Sequence, residues 1–182
     1  MLTKQTEYRD VIHAAIKQRT GSILLASTTD HISSLLCEVF VAANLRIRIL
    51  TERLPPEIFA RASVCDAAQF YLADPQHHLD VLVEADLWDP GRNFLWKAHP
   101  FFQRLISDRS MCSRLTAGVV PGKYSSRFQY NFIVIDDYGY ALQQDRSRLA
   151  MSIAFLPKQE ATSTERLIKI FSELQSMAIP II

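Results

Sequence analysis

Apolar positions along the chain switch repeatedly between a helical period and a strand period, and these switches set out the elements. Tyr8, Val11, Ile12, Ala15 and Ile16 recur at helical spacing and predict a helix over 6–19, stopped by Thr20 and Gly21. A short apolar strand over 22–27 follows. Thr28, Thr29 and Asp30 then offer capping chemistry for a helix over 31–43, with Ile32, Leu35, Leu36, Val39 and Phe40 as its buried face. Residues 45–51 alternate strictly, with Leu45, Ile47 and Ile49 on one side and Arg46 and Arg48 on the other, as in a half-exposed strand. Pro55 and Pro56 open one broken helix or two consecutive ones, ending near Asp74 and Pro75.

The second half is richer in strand signals. Residues 79–85 and 115–120 predict strands, Asp89-Pro90-Gly91 predicts a turn, and 94–106 predicts a helix that Pro100 breaks or kinks. Residues 130–135 and 140–142 flank Asp136-Asp137-Tyr138-Gly139 as a hairpin, and 150–156 is a further strand. Thr162 and Thr164 cap a last helix with a stripe of Leu167, Ile168, Phe171 and Leu174. This order predicts an α/β fold: a mostly parallel mixed sheet with helices on both faces and a late antiparallel hairpin. No repeat, low-complexity run or linker divides the chain, so 1–182 is expected to be a single domain.

Composition narrows the function classes. Twenty Lys and Arg against 19 Asp and Glu leave a net charge of +1, which argues against bulk electrostatic binding to nucleic acid or membranes. Cys37, Cys65 and Cys112 are odd in number and far apart, so neither a disulfide framework nor a cysteine metal site is expected, and a reducing cytoplasm fits. The N-terminus has no signal-peptide core, and no window reaches the roughly 18 uninterrupted apolar residues of a membrane span. No cofactor is implied.

The segment Gln129, Tyr130, Asn131, Phe132, Ile133, Val134, Ile135, Asp136 reads as a buried strand ending in an acid. It resembles the His-x-Lys-Phe-x-Val-Ile-Asp signature of the phospholipase D superfamily, with Gln129 at the His position and Asn131 at the Lys position. The likeness extends over most of the chain: helix-strand-helix-strand over 8–49, a strand and loop over 79–92, and a strand with a closing helix at the end. A core hairpin without functional ancestry would account for the same octapeptide. The resemblance implies a phosphohydrolase scaffold with one motif per chain, and hence a homodimer. A Gln amide is no nucleophile and Asn131 brings no positive charge, so the resemblance implies lost activity. Gln129, Asn131 and Asp136 are then expected to floor a remnant pocket for a neutral or weakly anionic ligand.

Other candidates compete with plain structural roles. His77 and His78 are adjacent on an extended segment and so point apart, which fits a solvated pair better than a metal site. His99, with Lys97 or Arg104, is the candidate for a relocated catalytic site, against a role in packing. Ser27-Thr28-Thr29 could bind an anion at a helix N-terminus, although capping explains it. Arg46, Arg48, Arg53 and Arg61 could form a basic strip, diluted by Glu52 and Glu57. Cys112 has no sequence neighbour to activate it. Trp88, Phe94, Trp96, Phe101 and Phe102 crowd a turn and a Pro-broken helix, and suggest a protein-partner surface as readily as core packing. The expectation is therefore an inactive phospholipase D-like domain acting through binding. A phosphodiesterase or nuclease with relocated residues, and a regulatory adaptor, are the alternatives.

Overall fold

The computed structural model describes residues 2–84, 99–121 and 130–182. The described strands are β1 (Leu24–Ala26), β2 (Arg46–Thr51), β3 (His78–Glu84), β4 (Leu115–Val120), β5 (Asn131–Ile135), β6 (Gly139–Gln143), β7 (Met151–Phe155) and β8 (Ile179–Pro180). They form one eight-stranded sheet in the order β1-β7-β6-β5-β2-β3-β4-β8. The helices are α1 (Leu2–Gln18), α2 (Thr29–Ala42), α3 (Pro56–Phe59), α4 (Ala62–Ala73), α5 (Pro100–Ile106), α6 (Arg109–Cys112) and α7 (Thr162–Met177). No helix among the described residues is long and apolar enough to cross a membrane.

The sheet is mixed, but it is not mostly parallel. Only β2–β3 and β3–β4 are parallel, while β1–β7, β2–β5, β5–β6, β6–β7 and β4–β8 are antiparallel. Connection length explains the difference, because a parallel crossover needs about a dozen residues or more. The turn between β5 and β6 is too short for that, so the two strands form the expected hairpin. The loop from β6 to β7 returns the chain antiparallel as well.

Strand alternation sorts side chains onto two faces. Ile47, Ile49, Leu79, Val81, Val83, Ala117, Val119, Ile133 and Ile135 join the larger core, together with Ile12 of α1, Leu35, Leu36 and Val39 of α2, and Val64 and Leu72 of α4. On the opposite face, Leu50, Leu82, Val120, Phe132 and Val134 meet Phe171 and Leu174 of α7. That helix packs on the apolar end of its face, while Arg46 and Arg48 at the other end line an open groove that Ile168 of the same helix borders.

Several local expectations change. Of the break or kink expected at Pro100, the described residues show a helix beginning there, where its missing N–H is harmless. α7 starts without a side-chain cap: Ala161 holds the cap position, and Thr164 is fully buried. Phe101 and Phe102 are wholly buried, edge to face with each other and with Phe59 in the case of Phe101, so neither can serve as a partner surface. The sequence could not show this, because the α3 and α4 layers that enclose them lie some forty residues upstream. Trp88, Phe94, Trp96 and Lys97, with the turn at 89–91, fall outside the described residues, as does Gln129.

Candidate functional site: a polar cleft at the strand ends

In open α/β sheets, ligand crevices form beyond the carboxyl ends of the parallel strands. β2 ends there at Thr51 and β3 at Glu84. Because β5 runs antiparallel to β2, its first residue, Asn131, arrives at the same edge, next to Gln143 at the end of β6. A cleft of about 340 Å³ opens at this edge. Ile32, Ile58 and Phe59 contribute apolar wall, and Glu52, Arg53, Glu57, Asn131, Gln143 and Arg146 contribute polar groups.

Asn131 is held on both sides of its carboxamide. Oδ1 accepts from the Glu52 amide at 2.8 Å, and Nδ2 donates to Gln143 Oε1 at 2.8 Å. Gln143 in turn donates to the Arg148 carbonyl at 2.7 Å. The chain of amides ties the ends of β2, β5 and β6 together. Beside it, Arg146 forms a two-pronged ion pair with the buried carboxylate of Glu84, and it also donates to the Tyr130 carbonyl. A buried carboxylate requires such a partner, and the planar guanidinium suits two-pronged contact. Sequence reasoning missed both partners of this pair. An acid closing a buried strand was a weak signal for Glu84, whereas Arg146, in a loop, gave none.

Asp136 does not belong to this cleft. It lies at the other end of β5, roughly 16 Å away at about 3.3 Å per residue. Its carboxylate accepts from three backbone amides, those of Asn44, Leu45 and Arg46, at 2.7–2.9 Å. The expected pocket floor of Gln129, Asn131 and Asp136 is therefore corrected for Asp136, since residues five apart on a strand cannot share one end. Asp136 is a clasp on the start of β2. Its φ of 49° lies in the left-handed region, which Asp tolerates better than most residues.

The other candidates resolve into structural roles. Nδ1 of His99 accepts from the Phe101 amide at 3.2 Å, so Nε2 carries the hydrogen and donates to the Leu54 carbonyl at 2.9 Å. Both nitrogens are occupied, and Arg104 is engaged with Asp66 and Gln69. Thr28 Oγ1 accepts from the His31 amide, which is helix capping. His77 stacks on Tyr71 and contacts its carbonyl, so it does not join His78 at a metal. Among the described residues no group of three His, Cys, Asp or Glu could hold a metal ion.

Burial holds the His99 imidazole below its ordinary value of 6.5, against the pull of the Leu54 carbonyl in the other direction. Between the folded and unfolded values the unfolded chain binds the extra proton. Stability should therefore be fully present above pH 6.5 and decline as pH falls through that value and on through the lower folded one. Thermal melts of wild type and His99→Gln across pH 5–8 check this: the wild-type decline in that window should be shallower in the variant.

No protein-family profile matches the sequence, and no curated protein resembles it at a significant level. Solved structures do share its architecture. TrmBL2, described as an archaeal chromatin protein with a novel mode of DNA binding, superposes with a TM-score of 0.56 at 11% identity, covering 97% of this chain and 62% of that one. Phosphatidylserine synthase of Haemophilus influenzae Rd KW20 gives 0.56 at 9% identity, covering 87% of this chain and 39% of the other. NucT from Helicobacter pylori gives 0.57 at 7% identity, covering 87% and 98%. The chain thus spans less than two thirds of the first two proteins. At such identities the likeness concerns architecture alone, and the chain has a phospholipase D-like fold.

Proposed function

We propose that this chain is a catalytically inactive phospholipase D-like domain that works by binding, as a homodimer in the cytoplasm. The observation that carries this reading is the state of Asn131. At the position where the resembling motif has its lysine, a neutral carboxamide is locked between the Glu52 amide and Gln143. A phosphoryl-transfer site needs a positive charge aimed at the phosphate oxygens and an activatable nucleophile. Arg146, the nearby guanidinium, is already neutralised by Glu84. In the rest of the cleft Glu52 and Glu57 balance Arg53, which suits a neutral or weakly anionic ligand. The relocated-site alternative loses support because both His99 nitrogens are tied to backbone groups.

The test is hydrolysis of single- and double-stranded DNA, RNA, bis-p-nitrophenyl phosphate and phosphatidylcholine vesicles by the purified chain. No turnover above buffer is expected on any of them. Turnover that disappears in Asn131→Ala or His99→Ala would overturn the reading. Light scattering after size exclusion tests the dimer, with an expected mass of twice the 20.8 kDa of one chain.

A further inference from the structure

The polar end of the sheet face beneath α7 holds a second constellation, on the opposite face and at the opposite edge from the cleft. Arg46 and Arg48 stand two residues apart on β2 and therefore project to one side, toward an open groove of about 490 Å³ lined also by Leu45, Gln76, His78, Asp136, Asp137 and Ile168 of α7. Asp137 stands exposed at its rim, and the two other nearby acids are engaged. Asp80, 5% exposed, accepts from Thr116 Oγ1 at 2.5 Å and lies 3.5 Å from Arg46 Nε. Asp136 accepts from three backbone amides.

Arg48 is different. It is half-buried, Arg46 is its neighbour on the same face, and among the described residues no carboxylate lies within ion-pair distance of its guanidinium. Desolvation first, and the Arg46 charge second, hold it below the ordinary arginine range. A half-buried guanidinium beside a second one, attracted by Asp80 and Asp136 but without an ion pair of its own among the described residues, is an arrangement that folding alone does not favour. An oxyanion seated between them would relieve both the desolvation and the repulsion. Two guanidiniums match a doubly charged tetrahedral oxyanion better than a single carboxylate.

We infer that the groove formed by Arg46, Arg48 and His78 under α7 is a binding site for a phosphate group. The groove is open and not enclosed, so the phosphate can come from a small phosphate ester or from a phosphodiester chain. The inference is independent of the cleft and of the lost activity. It stands or falls on Arg48.

The experiment is calorimetric titration of the full chain with three probes: inorganic phosphate, pyrophosphate and a single-stranded DNA 20-mer. At least one should bind, and Arg48→Ala should weaken it by about tenfold or more, with Arg48→Lys partly restoring it. Binding of the oligonucleotide, steeply salt-dependent and with a slope reduced by about one in Arg48→Ala, identifies a phosphodiester chain. Binding of phosphate or pyrophosphate without the oligonucleotide identifies a small ester. Lys17→Ala, exposed on α1 and outside both the cleft and the groove, should leave all three titrations unchanged. Because Arg48→Ala removes a packed stem, Arg48→Gln is measured alongside it; it keeps length and polarity and should lose affinity without loss of fold by circular dichroism. No saturable binding of any probe at millimolar concentration, or equal binding by wild type and Arg48→Gln, overturns the site.

Discussion

Replacing Asp136 with alanine is expected to lower the unfolding free energy by about 3 kcal/mol, one of the largest effects of any single polar change in this chain. Hydrogen bonds to a charged acceptor contribute about 1.5–3 kcal/mol each, and the carboxylate makes three, two of which lie near solvent where water can replace part of the loss. The clasp also spans 90 residues of sequence, joining the end of β5 to the start of β2, so its loss frees the register of the central antiparallel pair. Two further variants separate the contributions. Asp136→Gly removes the carboxylate but accepts the left-handed φ, and should fall less than alanine by about 1 kcal/mol. Asp136→Asn keeps the φ and one acceptor oxygen, and should fall least of the three. Urea melts of the four proteins check the order. Equal stability of Asp136→Ala and wild type would show that the three amides find water at no loss.

Phe101→Ala should destabilise the fold by about 3–5 kcal/mol, the usual range for deleting a fully buried phenyl ring. The ring is enclosed by Phe59 and Phe102, and its own backbone amide is the donor that fixes His99. A cavity there loosens the α3–α5 wall beside the cleft. The same substitution would have been the natural probe of a partner surface. Any loss of a complex in this variant therefore reports unfolding unless circular dichroism shows native helix content. Phe70 of α4, 72% exposed, is the contrasting control: Phe70→Ala should move the melting temperature little.

Much of the fold was legible in periodicity. The helical stripe over 31–43 and the alternation at Ile47 and Ile49 named residues that reach the core, because the side a residue faces depends on its place in a period of 3.6 or 2; Leu45 is exposed instead, and β2 ends buried on both faces at Leu50 and Thr51. The hairpin around 136–139 was legible for a similar local reason. The buried strand expected over 130–135 is β5 at 131–135, buried on both faces from Phe132 to Ile135, with Tyr130 exposed before it. The errors arose where a local signal had two tertiary outcomes. Pro100 can kink a helix or begin one, and the choice depends on whether His99 can cap it against Leu54. Two phenylalanines on a short helix can face a partner or a core, and only the position of α3 and α4 decides.

The candidate site was less legible than the fold. Asn131 was singled out from the resemblance, yet its setting came from Glu52 and Gln143, which are 79 residues upstream and 12 downstream. Glu84 and Arg146 were not connected by any spacing rule, since 62 residues separate them. By itself the sequence determined most of the elements and many of their inward faces, and that Gln129 and Asn131 are neutral amides. Tertiary structure alone decided that β1 lies beside β7, that five of the seven strand pairings are antiparallel, and that Asp136 and Asn131 serve opposite ends of the sheet. The physical reason is that periodicity records which side of an element is apolar, whereas strand order, direction and polar partners arise from contacts between distant segments that no local period encodes.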